Sequence, residues 1–308
     1  MIDLHVPQSG TNAFQKDILP LSDLLVDSMV QDQVRQGLKM IFDDLGLEDA
    51  IHLEIVEKCI QEALNCSSLL AYEQGMHTYL QDKGIFGPLL KKTAGRAGRM
   101  VEVVKPFLGS GSVLDLGCGP GGVGKICADL GHAVALADVY ENPAIAALKL
   151  PFVLLRQNEL LPFQDASFDH VLVFAMLHHV EDPLQMVREV KRILRPKGRL
   201  HLIETVYGIT SEELSSQATA LDRSFAALTE EQQRRATMFY DYFGNHVTWY
   251  YTENPEKYVP VPFNFNTPSF WQEIFKQHGF TILQARPWQV DPASGVFHYL
   301  FTFEREHV

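Results

Sequence analysis

The chain is short of positive charge. Against 38 Asp and Glu it sets only 26 Lys and Arg, a formal net charge of −12. An acidic surface repels phosphate backbones, so nucleic acid is not an expected partner. The most basic stretch, KKTAGRAGR at 91–99, carries few charges and reads as a solvated helix face. Cysteine is scarce too: Cys59, Cys66, Cys118 and Cys127 form no CxxC pair, and Cys59 and Cys66 sit seven apart on a helical stretch. All four are expected to be reduced and structural, as in a cytoplasmic protein. No window approaches about 18 uninterrupted apolar residues, so no membrane span is expected. The opening MIDLHVPQSG lacks a charged segment followed by an apolar one, so no signal peptide is expected. No HxxxH or HxxE spacing supports a metal site, so no metal is expected. Internal repeats and low-complexity segments are absent.

What is present divides the 308 residues into three kinds of sequence. Residues 1–105 have apolar residues at three- and four-residue spacing, in LSDLLVDSMVQDQVRQGLKMIFDDLGL and in AIHLEIVEKCIQEALNCSSLLAYEQG. That period predicts a helical lobe, with Ser22 and Gly46 as start and stop signals and Met40, Phe42 and Leu45 in its core. From about 110 to 205 strands and helices alternate. SVLDLG, HAVALAD, PFVLLRQ, FDHVLVFAM and GRLHLIET read as strands, separated by helices such as GVGKICADLG and DPLQMVREVKRIL. This alternation implies parallel βαβ units, and runs such as VLVFAM suit strands buried on both faces. Residues 207–262 interrupt the pattern with one or two helices, then a crowd of aromatics: Tyr240, Tyr242, Phe243, Trp249, Tyr250 and Tyr251. The core pattern resumes with the helix TPSFWQEIFKQHGF and two strands joined by DPASG, an antiparallel hairpin.

The stretch VLDLGCGPGG at 113–122 carries the first chemical signal. A buried strand ends in an acidic residue, and glycines recur at every second position. A dinucleotide fold wants GxGxxG, with the pyrophosphate on the next helix. Here the spacing is GxGxG, and Pro120 has no N–H to offer a pyrophosphate. The pattern suits S-adenosylmethionine, which has no phosphate but carries a cationic sulfonium and a zwitterionic amino-acid end. Asp115 can attract that charge, and the glycines allow close approach of the backbone. Asp138, about twenty residues beyond the loop at the end of HAVALAD, stands where a carboxylate bonds adenosine ribose hydroxyls.

VLDLGCGPGG, ALADVY, LLPFQDASFDHVLVFAMLHHVEDP and REVKRILRPKGRLHLIE together resemble a class I S-adenosylmethionine-dependent methyltransferase. They are most similar to the type 11 group that includes ubiquinone and menaquinone biosynthesis enzymes. The resemblance is strong over about 110–205, weak over 267–304, and does not reach the helical lobe or the insertion. It implies an α/β, Rossmann-like seven-stranded sheet with the last strand antiparallel. It also implies site roles. Asp115, Gly117, Cys118 and Gly119 line the methionine end of the cofactor, Asp138 holds the ribose, and Val139 packs on adenine. Where the family usually has an Asp near the adenine amino group, this chain has Gln157-Asn158-Glu159, so Asn158 and Glu159 are the candidates. Phe174, Ala175 and Met176 follow the fourth strand and would sit beside the sulfonium.

For the acceptor, His178 lies just past the fourth strand, at the carboxyl edge where open α/β sheets bind ligands, and is a candidate base. His246, in the aromatic insertion, is a second candidate; Tyr72 and His77 of the helical lobe are further ones. The insertion is expected to form an aromatic lid over a planar or apolar small molecule. The expected layout is thus a helical lobe at 1–105, a cofactor domain at 106–206 and 263–308, and an inserted cap at 207–262. The expected activity is methyl transfer from S-adenosylmethionine to a small molecule, yielding S-adenosylhomocysteine. Two rivals stay open: methylation of protein or RNA, and a non-catalytic regulator that binds the same cofactor. A nicotinamide oxidoreductase fits the loop least well. The oligomeric state is not legible.

Overall fold

The computed structural model describes residues 20–156, 159–248 and 261–307. Six helices come first: α1 (Leu21–Leu24), α2 (Ser28–Phe42), α3 (Asp49–Asn65), α4 (Leu69–Asp82), α5 (Phe86–Thr93) and α6 (Arg96–Val104). The alternating region follows as β1 (Ser112–Leu116), α7 (Gly122–Asp129), β2 (Ala133–Asp138), α8 (Ile145–Leu148), β3 (Phe152–Leu154), β4 (Phe168–Phe174), α9 (Pro183–Ile193) and β5 (Leu194–Thr205). The insertion supplies α10 (Ala220–Ala226) and α11 (Glu230–Phe243), ending in one π-helical turn, Gly244–Thr248. The chain closes with α12 (Pro268–Gln277), β6 (Phe280–Val290) and β7 (Phe297–Arg305).

The strands form one seven-stranded sheet in the order β3-β2-β1-β4-β5-β7-β6. Leu114 pairs with Val171, and Val171 with Leu200, in parallel register. β7 runs against both neighbours, with Leu300 opposite Ile203 and Tyr299 opposite Pro287. Pro287 is tolerated because β6 is an edge strand, where a missing N–H costs little, and the register shifts just after it. The order reverses between β1 and β4. This switch point opens a crevice beyond the carboxyl ends of those strands, which is where such sheets bind ligands.

The helical periodicity of the first hundred residues is real, but the helices break where side chains offer caps. Asp27 accepts from the Met29 N–H and starts α2, so Ser22 lies inside the short α1 and is no start signal. Ser68 accepts from Ala71 N–H and separates α3 from α4. Met40, Phe42 and Leu45 pack into the core as the spacing implies, Met40 partly buried. All four cysteines are free thiols.

The first helices and the insertion share one apolar core. Phe42 of α2 meets Phe243 of α11 edge to face, with ring centroids 6.2 Å apart. The Tyr240 hydroxyl donates to the Gln33 carbonyl, and the Gln232 amide donates to Asp27 Oδ2 at 2.7 Å. Burying rings such as Tyr240 and Phe243 contributes roughly 1.5–3 kcal/mol each. The basic stretch at 91–99 is not a plain solvated face. Lys92 donates to the carbonyls of Met40, Ile41 and Asp43, closing the C-terminal end of α2, and Arg96 turns inward to Asp291. Among the described residues, no helix is long and apolar enough to cross a membrane.

Candidate active site

The glycine loop leaves β1 and is held to the end of β2, because the N–H groups of Gly117 and Cys118 both donate to the Ala137 carbonyl, at 2.8 and 3.2 Å. Gly117 has φ +75°, and a Cβ there would lie 2.5 Å from Met176 Cγ. Glycine is therefore needed twice over, for its dihedral and for the close approach of the segment after β4. Around Gly119, by contrast, a Cβ would meet none of the described residues within 4 Å. The loop is a backbone cradle with one open side.

Asp138 closes that cradle. Its Oδ2 accepts from the Gly119 N–H at 2.8 Å, and its Oδ1 from Tyr140 at 3.3 Å. Burial raises its carboxyl above the usual range, partly offset by those N–H groups. Asp115 is fully buried, and its Oδ2 accepts from Gly124 in the first turn of α7 at 2.8 Å. Burial pushes its carboxyl up to about 7. Its visible work is to fix α7 against the loop. Cys118 is buried beside it, and Val139 is 46% exposed, a bare apolar side chain at the carboxyl edge. Phe174 ends β4. Ala175 follows with φ +51°, unusual for a non-glycine residue, and its N–H donates to Ile203 at 2.6 Å. Met176 packs on Gly117. The structure thus brings Gly117, Cys118, Gly119, Asp138 and Met176 to one place. Glu159 forms an exposed pair with Arg156 at 3.5 Å, and Asn158 lies outside the described residues.

A second cluster stands beside this one. After Met176 the chain makes a single turn, Leu177–His179, whose Leu177 N–H donates to Glu204 Oε2 at 2.9 Å. Glu204, fully buried on β5, also takes His178 Nδ1 and the Thr205 N–H. The opposite ring nitrogen, Nε2, lies 3.3 Å from Oδ1 of Asp241 on α11. His179 Nε2 is 4.0 Å from the same oxygen, and the Asn245 amide donates to it at 3.0 Å. Burial alone would discharge His178, but the two carboxylates outweigh it and raise the ring to about 10. The ring thus stands between two buried carboxylates that favour its charged form. Asp241 is held low because His178 and His179 outweigh its burial.

These groups wall a cavity of about 110 Å³ between sheet, α6 and α11. Arg96, Ala175, Thr205, Tyr240, Ser294 and His298 complete much of its lining. Arg96 Nε donates to the buried Asp291 at 2.6 Å. Burial pushes His298 down to about 4 despite nearby Asp291, leaving a neutral ring. Thr205 Oγ1, Asp241 Oδ2, Ser294 Oγ and both ring nitrogens of His298 are buried without a hydrogen-bond partner among the described residues.

Tyr240 lines the cavity, whereas Phe243 packs on Phe42 and the Tyr242 hydroxyl bonds Glu73. Trp249, Tyr250 and Tyr251 lie outside the described residues. His246 stacks on Tyr242 at 4.8 Å and pairs with Glu73 at 3.1 Å; it is not part of the cavity wall. Tyr72 is buried in the lobe, donating to Cys59, and His77 meets the Val247 carbonyl. Sequence reasoning missed Glu204, Asp241, Arg96 and His298. A charged residue closing the apolar strand LHLIE was the available signal for Glu204.

A seven-stranded sheet in this order, with an antiparallel strand next to the edge, a glycine cradle after β1 and an acid closing β2, defines the class I S-adenosylmethionine-dependent methyltransferase fold. Residues 114–202 match the family described as "Methyltransferase domain", and this part of the chain is such a domain. A probable S-adenosylmethionine-dependent methyltransferase of Mycolicibacterium smegmatis is 37% identical over 102 residues, 32% of this chain and 39% of that protein. A ubiquinone biosynthesis O-methyltransferase of Xanthomonas oryzae pv. oryzae is 34% identical over 103 residues, 31% of this chain and 43% of the relative. The chain therefore spans less than half the length of these curated relatives. Among solved structures, a methyltransferase of Methanosarcina mazei aligns with TM-score 0.48 and 20% identity, over 67% of this chain and 98% of its own.

Proposed function

We propose that the chain transfers a methyl group from S-adenosylmethionine to a small polar molecule held in the cavity. The observation that supports this best is where the cavity lies. Its wall includes Ala175 at the carboxyl end of β4, one residue from the Met176 side chain that packs on the glycine cradle. Its lining residues carry buried polar atoms without partners among the described residues, and such atoms are rarely left unpaired. An acceptor with hydroxyl, amine or carbonyl groups suits this lining better than a purely apolar one.

The cradle fits the cofactor on its own terms: an open backbone at Gly119, a carboxylate at Asp138 and an exposed apolar side chain at Val139. When bound, S-adenosylmethionine supplies an electrophilic methyl carbon, whose bond to sulfur breaks as the acceptor's lone pair bonds the carbon and S-adenosylhomocysteine leaves. Asp138 holds the ribose, and Val139 packs on adenine, with Glu159 beside its amino group. Asp115, Gly117, Cys118 and Gly119 back the methionine end, while Phe174, Ala175 and Met176 border the sulfur. Residues 1–105 and 207–262 act as one cap that excludes water from the acceptor. His178 and Asp241 hold and orient the reacting group. His246 serves the cap through Glu73 rather than the chemistry.

Methyl-labelled S-adenosylmethionine, incubated with the protein and an undialysed cell extract, tests the proposal. Label should enter a small molecule, and dialysis of the extract should abolish it. Label in macromolecules, or no transfer although the cofactor binds, would overturn it.

A further inference from the structure

We propose that His178, His179 and Asp241 form a binding site for one divalent transition-series cation of the zinc type, with Glu204 as its outer support. The inference rests on the functional reading above only in giving the ion an acceptor to face. The site itself stands on geometry. Each of the three residues offers one donor atom, and the three atoms lie within 4.8 Å of one another. The two distances from Asp241 Oδ1 are 3.3 Å to His178 Nε2 and 4.0 Å to His179 Nε2. Ligands about 2.1 Å from a tetrahedral zinc stand roughly 3.4 Å apart, so small side-chain rotations close the set.

Three further features suit an ion there. Glu204 accepts from His178 Nδ1, which points the lone pair of Nε2 at the cluster. This is the carboxylate–histidine support that metal-binding imidazoles ordinarily have. Glu204 and Asp241 are both buried, so the cluster has two negative charges that a divalent cation balances. The ion takes the place of the proton that His178 shares with Asp241. Finally, Asp241 Oδ2 is buried without a hydrogen-bond partner among the described residues. Two imidazoles and one carboxylate favour zinc-type cations over Mg²⁺ or Ca²⁺, which prefer all-oxygen shells. All three residues line the cavity, so the open coordination positions face the proposed acceptor. An acceptor presenting an oxygen or nitrogen donor would be oriented by the ion.

Cobalt is a suitable probe because its bound form absorbs visibly. The untagged chain, stripped by chelator, is titrated with Co²⁺, and Zn²⁺ is then added in competition. One equivalent of Co²⁺ should bind with new visible bands, Zn²⁺ should displace it, and thermal stability should rise with Zn²⁺ concentration. His179→Ala and Asp241→Asn should each weaken binding by tenfold or more, and Glu204→Gln by about 10–100-fold. His307→Ala, on the exposed tail, should change nothing. Because the buried variants could misfold, the wild-type stability shift is a separate criterion that needs no variant. No cobalt bands and no zinc-dependent stabilisation at about 1 mM metal would overturn the site, as would binding that survives in folded His179→Ala and Asp241→Asn. Calorimetry with S-adenosylmethionine on the same samples separates the two ideas. Cofactor binding without metal binding rejects the ion alone, and metal binding without cofactor binding rejects the methyltransferase reading alone.

Discussion

Glu204 on β5 and Asp241 on α11 approach the two nitrogens of one buried ring, that of His178. This ring is one point at which the sheet and the cap are joined by charge, the Arg96–Asp291 pair being another. Removing one carboxylate leaves the other groups buried and poorly balanced, which typically costs about 3–5 kcal/mol. Glu204→Gln should therefore lower unfolding stability by about 3 kcal/mol, measured by urea denaturation. A loss below about 1 kcal/mol would mean that the ring and its carboxylates are more solvated than the structure has them.

The contact between α2 and α11 is tight enough to test by one methyl group. A Cβ at Gly37 would lie 2.1 Å from the Tyr240 hydroxyl. Gly37→Ala should destabilise the chain by about 1–3 kcal/mol through overpacking. In a Tyr240→Ala background the same change should be nearly neutral, because its obstacle is gone. Equal costs in both backgrounds, by thermal or urea unfolding, would contradict the packing described.

Two histidines on neighbouring strands make stability depend on pH. His170 Nδ1 and His201 Nε2 lie 3.2 Å apart inside the sheet. Burial pushes His170 down to about 4 and His201 well below its ordinary value. Both are neutral when folded and take protons near pH 6.5 when unfolded, so the unfolded chain binds more protons between those values. Their contribution is complete above about pH 6.5 and is lost as pH falls toward 4. The stability advantage of wild type over His201→Leu should shrink across that window, measured by urea unfolding at pH 7, 6 and 5. An advantage independent of pH would contradict the assignment.

The sheet and the glycine loop were legible in the sequence because their signals are local. VLDLGCGPGG carries its glycine spacing within ten residues, and the strand-helix alternation repeats over short windows. The cluster around His178 was legible only in part. His178 could be placed by its position after β4, but its partner Glu204 is 26 residues away, and Asp241 comes from another element altogether. Arg96 and Asp291 are 195 residues apart, and no spacing rule joins them. For the aromatics, periodicity gives burial but not direction: Phe243 faces the lobe and Tyr240 the cavity. The breaks at Asp27 and Ser68 were visible as capping residues, yet each sits inside a longer apolar rhythm that hides it.

The central claim is that the cradle between Gly117 and Asp138 holds S-adenosylmethionine. Calorimetric titration of the purified chain with that molecule, beside the Asp138→Ala variant, tests it most directly. Wild type should bind one equivalent, and affinity should fall by about tenfold or more in the variant, the loss of one to two hydrogen bonds to a carboxylate. No binding by a folded wild-type chain, or equal binding by the variant, would contradict it.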